Sequence, residues 1–292
     1  MKNIYYLFFV IFFILIGCSD SELSEDEYKA YAEEIVINIK KKEVKKLQDK
    51  FDINFILDDI KKTSDTLGVA NQYKLRKTYV VNQLFQIYAP YLKNIMKIVT
   101  KESETKLLKL FKEKNKYHAL IMIKNNDNFE ITDFILEERN NKIHITNYIS
   151  TVTSFNLNLH FNWAIQNQLM NVTEYYHAQK YLVASNSLYE RKEYDEALNM
   201  FNQIPEYFQT FPNFYILKVK ITHEMKDEYL YAETLENWIS LNYDNKCFRY
   251  LKASELYYYT NDSETSLKYL DSLENFTGKN SVINDIKKSR FN

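Results

Sequence analysis

Glycine and proline are scarce in this chain: its 292 residues hold three of each. So few glycines exclude a glycine-rich phosphate loop, whose backbone must approach an anion without Cβ atoms in the way. There is no Gly-x-Ser-x-Gly elbow for a serine nucleophile. A surplus of one charge is missing as well. Lys and Arg number 38 against 39 Asp and Glu, for a formal net charge of −1, and no basic block stands out. Nucleic-acid binding, which rests on concentrated cations, is therefore not expected. The histidines are His118, His144, His160, His177 and His223; no two stand four apart and no His-Glu-x-x-His occurs, so no zinc motif is present. His118 and His144 fall on strand patterns and could be sheet neighbours. Glu137-Glu138 and Asp58-Asp59 are carboxylate pairs, but adjacent residues point apart and spacing alone makes neither an acid–base pair. These absences lead us to expect no enzyme activity, no catalytic residue, no metal and no cofactor. Aromatics are plentiful instead, with 25 Tyr and 19 Phe. An AT-rich genome produces that bias, so the count alone marks no binding surface.

The N-terminus carries the most specific pattern. Lys2 precedes thirteen uncharged residues, Ile4 to Ile16. A bilayer span needs roughly 20 apolar residues, so this run suits the core of a signal peptide. Leu15-Ile16-Gly17-Cys18 closes it. The tetrad resembles the bacterial lipobox, which implies a signal peptide over residues 1–17 and a diacylglycerol on the Cys18 thiol, leaving Cys18 as the acylated N-terminus. An acidic tether follows over residues 18–27, with Asp20, Glu22, Glu25, Asp26 and Glu27. It resembles the export signal of Bacteroidetes lipoproteins, which implies an outer-membrane anchor reaching the cell surface. With Cys18 acylated, Cys247 is the one thiol left and no internal disulfide can form. Beside Phe248 and Tyr250, Cys247 reads as a small buried apolar residue.

Residues 28–170 read as an α+β domain. Ser24-x-x-Glu27 has the form of a capping box, and Tyr28, Tyr31, Ala32, Ile35 and Ile39 follow at helical steps. A short helix over Val44–Lys50, an apolar cluster from Phe51 to Ile60 and a turn at Ser64–Gly68 come next. A long helix from Ala70 is ended or kinked by Pro90, and Leu107 to Phe111 closes a further helix. Alternation then takes over at Tyr117–Ile123, Phe129–Leu136 and Ile143–Ile149, with polar turns between. This predicts a three-stranded antiparallel meander with the helices on one face. The order resembles the cystatin-like and nuclear transport factor 2-like α+β folds, and that resemblance implies a cone between helix and sheet able to hold a small ligand.

Residues 174–292 read as all-α. Ala197, Ala232 and Ser266 stand 35 and 34 residues apart, the period of helix-pair repeats. Tyr181, Ile216 and Tyr250 take the large first position; Ala184, Val219 and Ala253 follow, then Ser185, Lys220 and Ser254. Phe201 and Leu270 match at the end of the second helix, where Glu236 departs and Leu235 or Trp238 substitutes. The segment resembles tetratricopeptide repeats at about 178–212, 213–246 and 247–280, with a capping helix over Ile283–Lys288.

That resemblance implies a binding surface for a protein or peptide. Tyr229, Tyr231, Tyr257, Tyr258 and Tyr259 are its candidate anchors, because three consecutive helical positions face three directions and exposed aromatics dominate interfaces. The expected protein is a non-catalytic adaptor held at the membrane by lipid on Cys18. The alternative is a surface small-molecule or glycan binder feeding an outer-membrane transporter.

Overall fold

The structure, a computed structural model, describes residues 23–66, 92–126, 128–160, 172–242 and 244–291. Cys18 and the stretch from Ala70 to Pro90 lie outside the described residues. Helix α1 (Glu25–Lys40) starts at its capping box: Ser24 Oγ accepts from the Glu27 amide at 3.4 Å, and the Glu27 carboxylate accepts from the Ser24 amide at 2.7 Å. Its stripe of Tyr28, Ala32, Ile35, Val36 and Ile39 is buried. α2 (Val44–Gln48) and α3 (Ile53–Thr66) follow. The turn expected from Ser64 therefore begins as helix, its polar residues continuing the last turn of α3. Residues 92–97 are again helical.

The sheet has four antiparallel strands in sequential order, not three: β1 (Glu104–Glu113), β2 (Lys116–Lys124), β3 (Phe129–Arg139) and β4 (Lys142–Ser150). β1 stands where a helix was expected at Leu107 to Phe111, and a bulge explains the misreading. Leu107 pairs with Ile121 and Lys109 with Leu120, so Leu108 is the extra residue. The bulge sends Leu107 and Leu110 to one core and Leu108 and Phe111 to the other. Apolar residues three apart on each face then imitate a helical stripe. Lys114-Asn115 and Asn140-Asn141 close the two tight hairpins with positive φ at all four residues, the twist-matched geometry usually given to glycine.

Helices cover both faces of the sheet rather than one. α1, α2 and residues 92–97 pack on Ala119, Ile121, Ile123, Phe134, Leu136 and Ile145. The opposite face carries Leu120, Met122 and Ile131, which pack on Cys247, Leu251, Leu270, Leu273, Val282 and Ile283 from the C-terminal region. Successive strand residues point to opposite faces, so both sets of an alternating strand are consumed.

The C-terminal region is helical: α4 (Val172–Glu190), α5 (Tyr194–Phe201), the single turn α6 (Glu206–Gln209), α7 (Pro212–Glu224), α8 (Glu228–Leu241), α9 (Lys246–Tyr259), α10 (Ser263–Thr277) and α11 (Ser281–Phe291). The pairs α4–α5, α7–α8 and α9–α10 turn at Lys192, Lys226 and Asn261, all left-handed and 34 and 35 residues apart. In the first and third turns the Glu193 and Asp262 amides donate to the Leu188 and Tyr257 carbonyls at 3.1 and 2.8 Å, the closing bond of a Schellman cap. Small residues sit where the helices of those pairs cross. Ser185 Oγ donates to the Ala197 carbonyl at 2.8 Å, and Ser266 Oγ to the Ser254 carbonyl at 2.7 Å. Phe201, Leu235, Trp238 and Leu270 are buried, so both proposed substitutes for Glu236 fill the interior.

Candidate functional site

The five candidate tyrosines separate. Tyr231 is buried, with its ring edge-on to His223 and Tyr259 and its hydroxyl donating to Glu255. Tyr259 closes that cluster and bonds His223 Nε2 through its hydroxyl at 3.2 Å. Tyr258 turns outward against Phe291, under the Arg290 guanidinium. Tyr257 points elsewhere and stacks on Tyr269 of α10 at 5.5 Å. Consecutive helical positions do face three directions here. Tyr229, at the start of α8, is 81% exposed. Tyr229 and Tyr258 are thus the two of the five that present large apolar area to solvent. Tyr176 and Val183 on α4, two turns apart, are also exposed; the aromatic emphasis of the sequence pattern passed over Val183.

Behind these tyrosines lies a half-buried ionic group. Lys252 Nζ donates to Glu255 Oε2 at 2.8 Å, and Arg290 Nη1 donates to Ser254 Oγ at 3.0 Å. Burial works to raise the Glu255 pKa, but Lys252, the Tyr231 hydroxyl and Arg290 outweigh it and hold the carboxyl below its ordinary value. The same burial, with Glu255 close by, pushes the Tyr231 phenol far upward. The group ties α8, α9 and α11 together. Every polar atom named has a partner, so the group braces the helices.

A second place was not legible from spacing. Glu130, the second residue of β3, turns its side chain toward the α1 side of the sheet, beside an apolar cavity of about 240 Å³. Ile95, Ile98, Tyr148, Phe155 and, from α7, Ile216 form its walls, with Asn94, Ser150 and Thr153 adding polar atoms. Ser150 Oγ donates to both carboxylate oxygens at 3.0 Å, and the Thr151 amide donates to Oε1 at 3.2 Å. Burial nevertheless pushes the Glu130 pKa up to about 7, because these donors and the Val152 and Ile131 amides only partly offset it. No ion pair from Lys or Arg reaches this carboxyl among the described residues.

The remaining candidates have the following surroundings. His118 Nδ1 donates to Asp133 Oδ2 at 2.8 Å and stacks on Phe111; β3 separates its strand from that of His144. Cys247 is buried against Leu120, and burial raises its thiol far above the ordinary range, which disfavours the thiolate. Asp58 and Asp52 pair with Arg139, Glu137 with Lys116, and Glu138 accepts from the Leu23 amide. Among the described residues no three His, Cys, Asp or Glu side chains gather to hold a metal ion, and no helix is long and apolar enough to cross a membrane. No protein-family model, curated protein or solved structure matches this chain.

Proposed function

We propose that the chain is a lipid-anchored cell-envelope adaptor that holds a protein or peptide through tetratricopeptide-like helix pairs. The observation that supports the repeat reading is the recurrence of one turn. Lys192, Lys226 and Asn261 take the same left-handed place at steps of 34 and 35 residues. Helix pairs of this kind cannot bury their apolar faces singly and stack instead, which creates an extended binding surface. Of the five candidate anchors Tyr229 and Tyr258 are the exposed ones, while Tyr231, Tyr257 and Tyr259 pack against neighbouring rings. The anchor rests on Cys18, through the lipobox-like tetrad Leu15-Ile16-Gly17-Cys18. The outer membrane is the proposed location.

The two parts are tested separately. Cys18→Ser should abolish labelling by a fatty-acid probe, and labelling that persists sinks the anchor. A photo-crosslinking amino acid at Tyr229 or Tyr258 should capture the same protein in intact envelopes, while one on Tyr257, which faces α10, should not. Absence of any shared product from positions 229 and 258 sinks the adaptor.

A further inference from the structure

The cavity beside Glu130 has a composition that the adaptor reading does not use. We infer that it is a binding pocket for a small organic amine whose apolar body lies against Ile95, Ile98, Tyr148, Phe155 and Ile216 and whose ammonium group is held by Glu130. Three observations carry this. First, the volume of about 240 Å³ exceeds that of a cavity of 150 Å³, which accepts benzene, so roughly ten non-hydrogen atoms fit. Second, the walls are mostly apolar, with Asn94 and the hydrogen-bonded group of Glu130, Ser150 and Thr153 as their polar members and Glu130 as the one charged side chain, the arrangement of a pocket that orients a ligand by a few placed polar groups.

Third, the polar end is one-sided in charge. Every donor on Glu130 is neutral: the Ser150 hydroxyl and backbone amides. The protein supplies no counter-cation among the described residues. A buried carboxylate without one is costly, and a ligand ammonium would provide it with a charge-assisted hydrogen bond. A carboxylic acid ligand would meet like charge, and an alcohol would add one more neutral donor. The upward-shifted Glu130 pKa agrees with a carboxyl awaiting a cation.

The test compares three probes of one shape at pH 8, where the amine is cationic and Glu130 ionised: phenethylamine, 2-phenylethanol and phenylacetate. Titration calorimetry on the full chain should show phenethylamine binding roughly tenfold tighter than the alcohol, and phenylacetate weakest. Glu130→Gln should level amine and alcohol while leaving alcohol binding in place. Ile216→Phe, which enlarges the wall supplied by α7, should weaken both. The inference is overturned by equal affinity for amine and alcohol in the natural chain, by amine binding indifferent to Glu130→Gln, or by no binding of any probe at millimolar concentration.

Discussion

At the scale of single residues, two buried titratable groups pull stability in opposite directions. Glu130 keeps its proton to about pH 7 in the fold but releases it near 4.5 when unfolded. The unfolded chain therefore gives up its proton first as pH rises. Glu130 favours the fold most below pH 4.5, costs stability progressively between 4.5 and 7, and costs no more above that. His160, buried against Phe155, is depressed by burial from 6.5 to about 4. Its contribution is present above pH 6.5 and is lost as pH falls toward 4. Between pH 4.5 and 6.5 the two slopes oppose. We expect Glu130→Gln to raise stability at pH 8 by up to about 3 kcal/mol and to leave a profile that climbs with pH through that window. Urea midpoints at half-unit pH steps would read this; a profile parallel to that of the natural chain would refute it. Neither group announces its burial in the sequence. Glu130 sits in an alternating strand with Thr132, a pattern that reads as a solvent-facing side until both faces are seen to be covered.

At the scale of elements, the shortage of glycine reappears as strain. Nine non-glycine residues have positive φ, and Gly278 is the one glycine that does among the described residues. Lys192, Lys226 and Asn261 end helices where glycine is the usual choice, and a left-handed non-glycine residue costs about 1–2 kcal/mol. Lys192→Gly should therefore stabilise the first helix pair by about 1 kcal/mol, the relief being offset in part by glycine's larger unfolded-state entropy. Lys180→Gly, inside α4, should destabilise by about the same amount. Thermal melts of the two variants should move in opposite directions, and a common direction would contradict the turn geometry. The helix pairs were legible because polar turns break three amphipathic stretches at a constant step. The capping box of α1 was legible because its signal is local. β1 was not, because the Leu108 bulge converts period two into an apparent period of three. Where glycine and proline are absent, the punctuation that separates helix from strand is missing too.

At the scale of the whole molecule, the sheet lies between two helical layers and the chain's two halves share a core. Leu120, Met122 and Ile131 of the sheet meet Leu251, Leu270, Leu273, Val282 and Ile283. Polar bonds cross the same seam: Lys109 Nζ donates to the Phe276 carbonyl at 3.0 Å, and Ser281 Oγ donates to Glu104. No sequence pattern forecast this docking, since the apolar side of a strand and the apolar side of a helix name no partner. It has a thermodynamic consequence. Burial of this kind makes the sheet's second face stable only with α9, α10 and α11 in place, so sheet and last helices should unfold together. Ile283, fully buried at the seam, is the residue to remove. Ile283→Ala should cost about 2–4 kcal/mol, the range for a large buried aliphatic. Hydrogen exchange followed by mass spectrometry in increasing denaturant should show β2 and β3 peptides losing protection at the same midpoint as α9 and α10 peptides. In Ile283→Ala both midpoints should fall equally. If only α11 peptides responded while β2 and β3 kept their midpoint, the seam would be a loose contact and the two halves would be independent folding units.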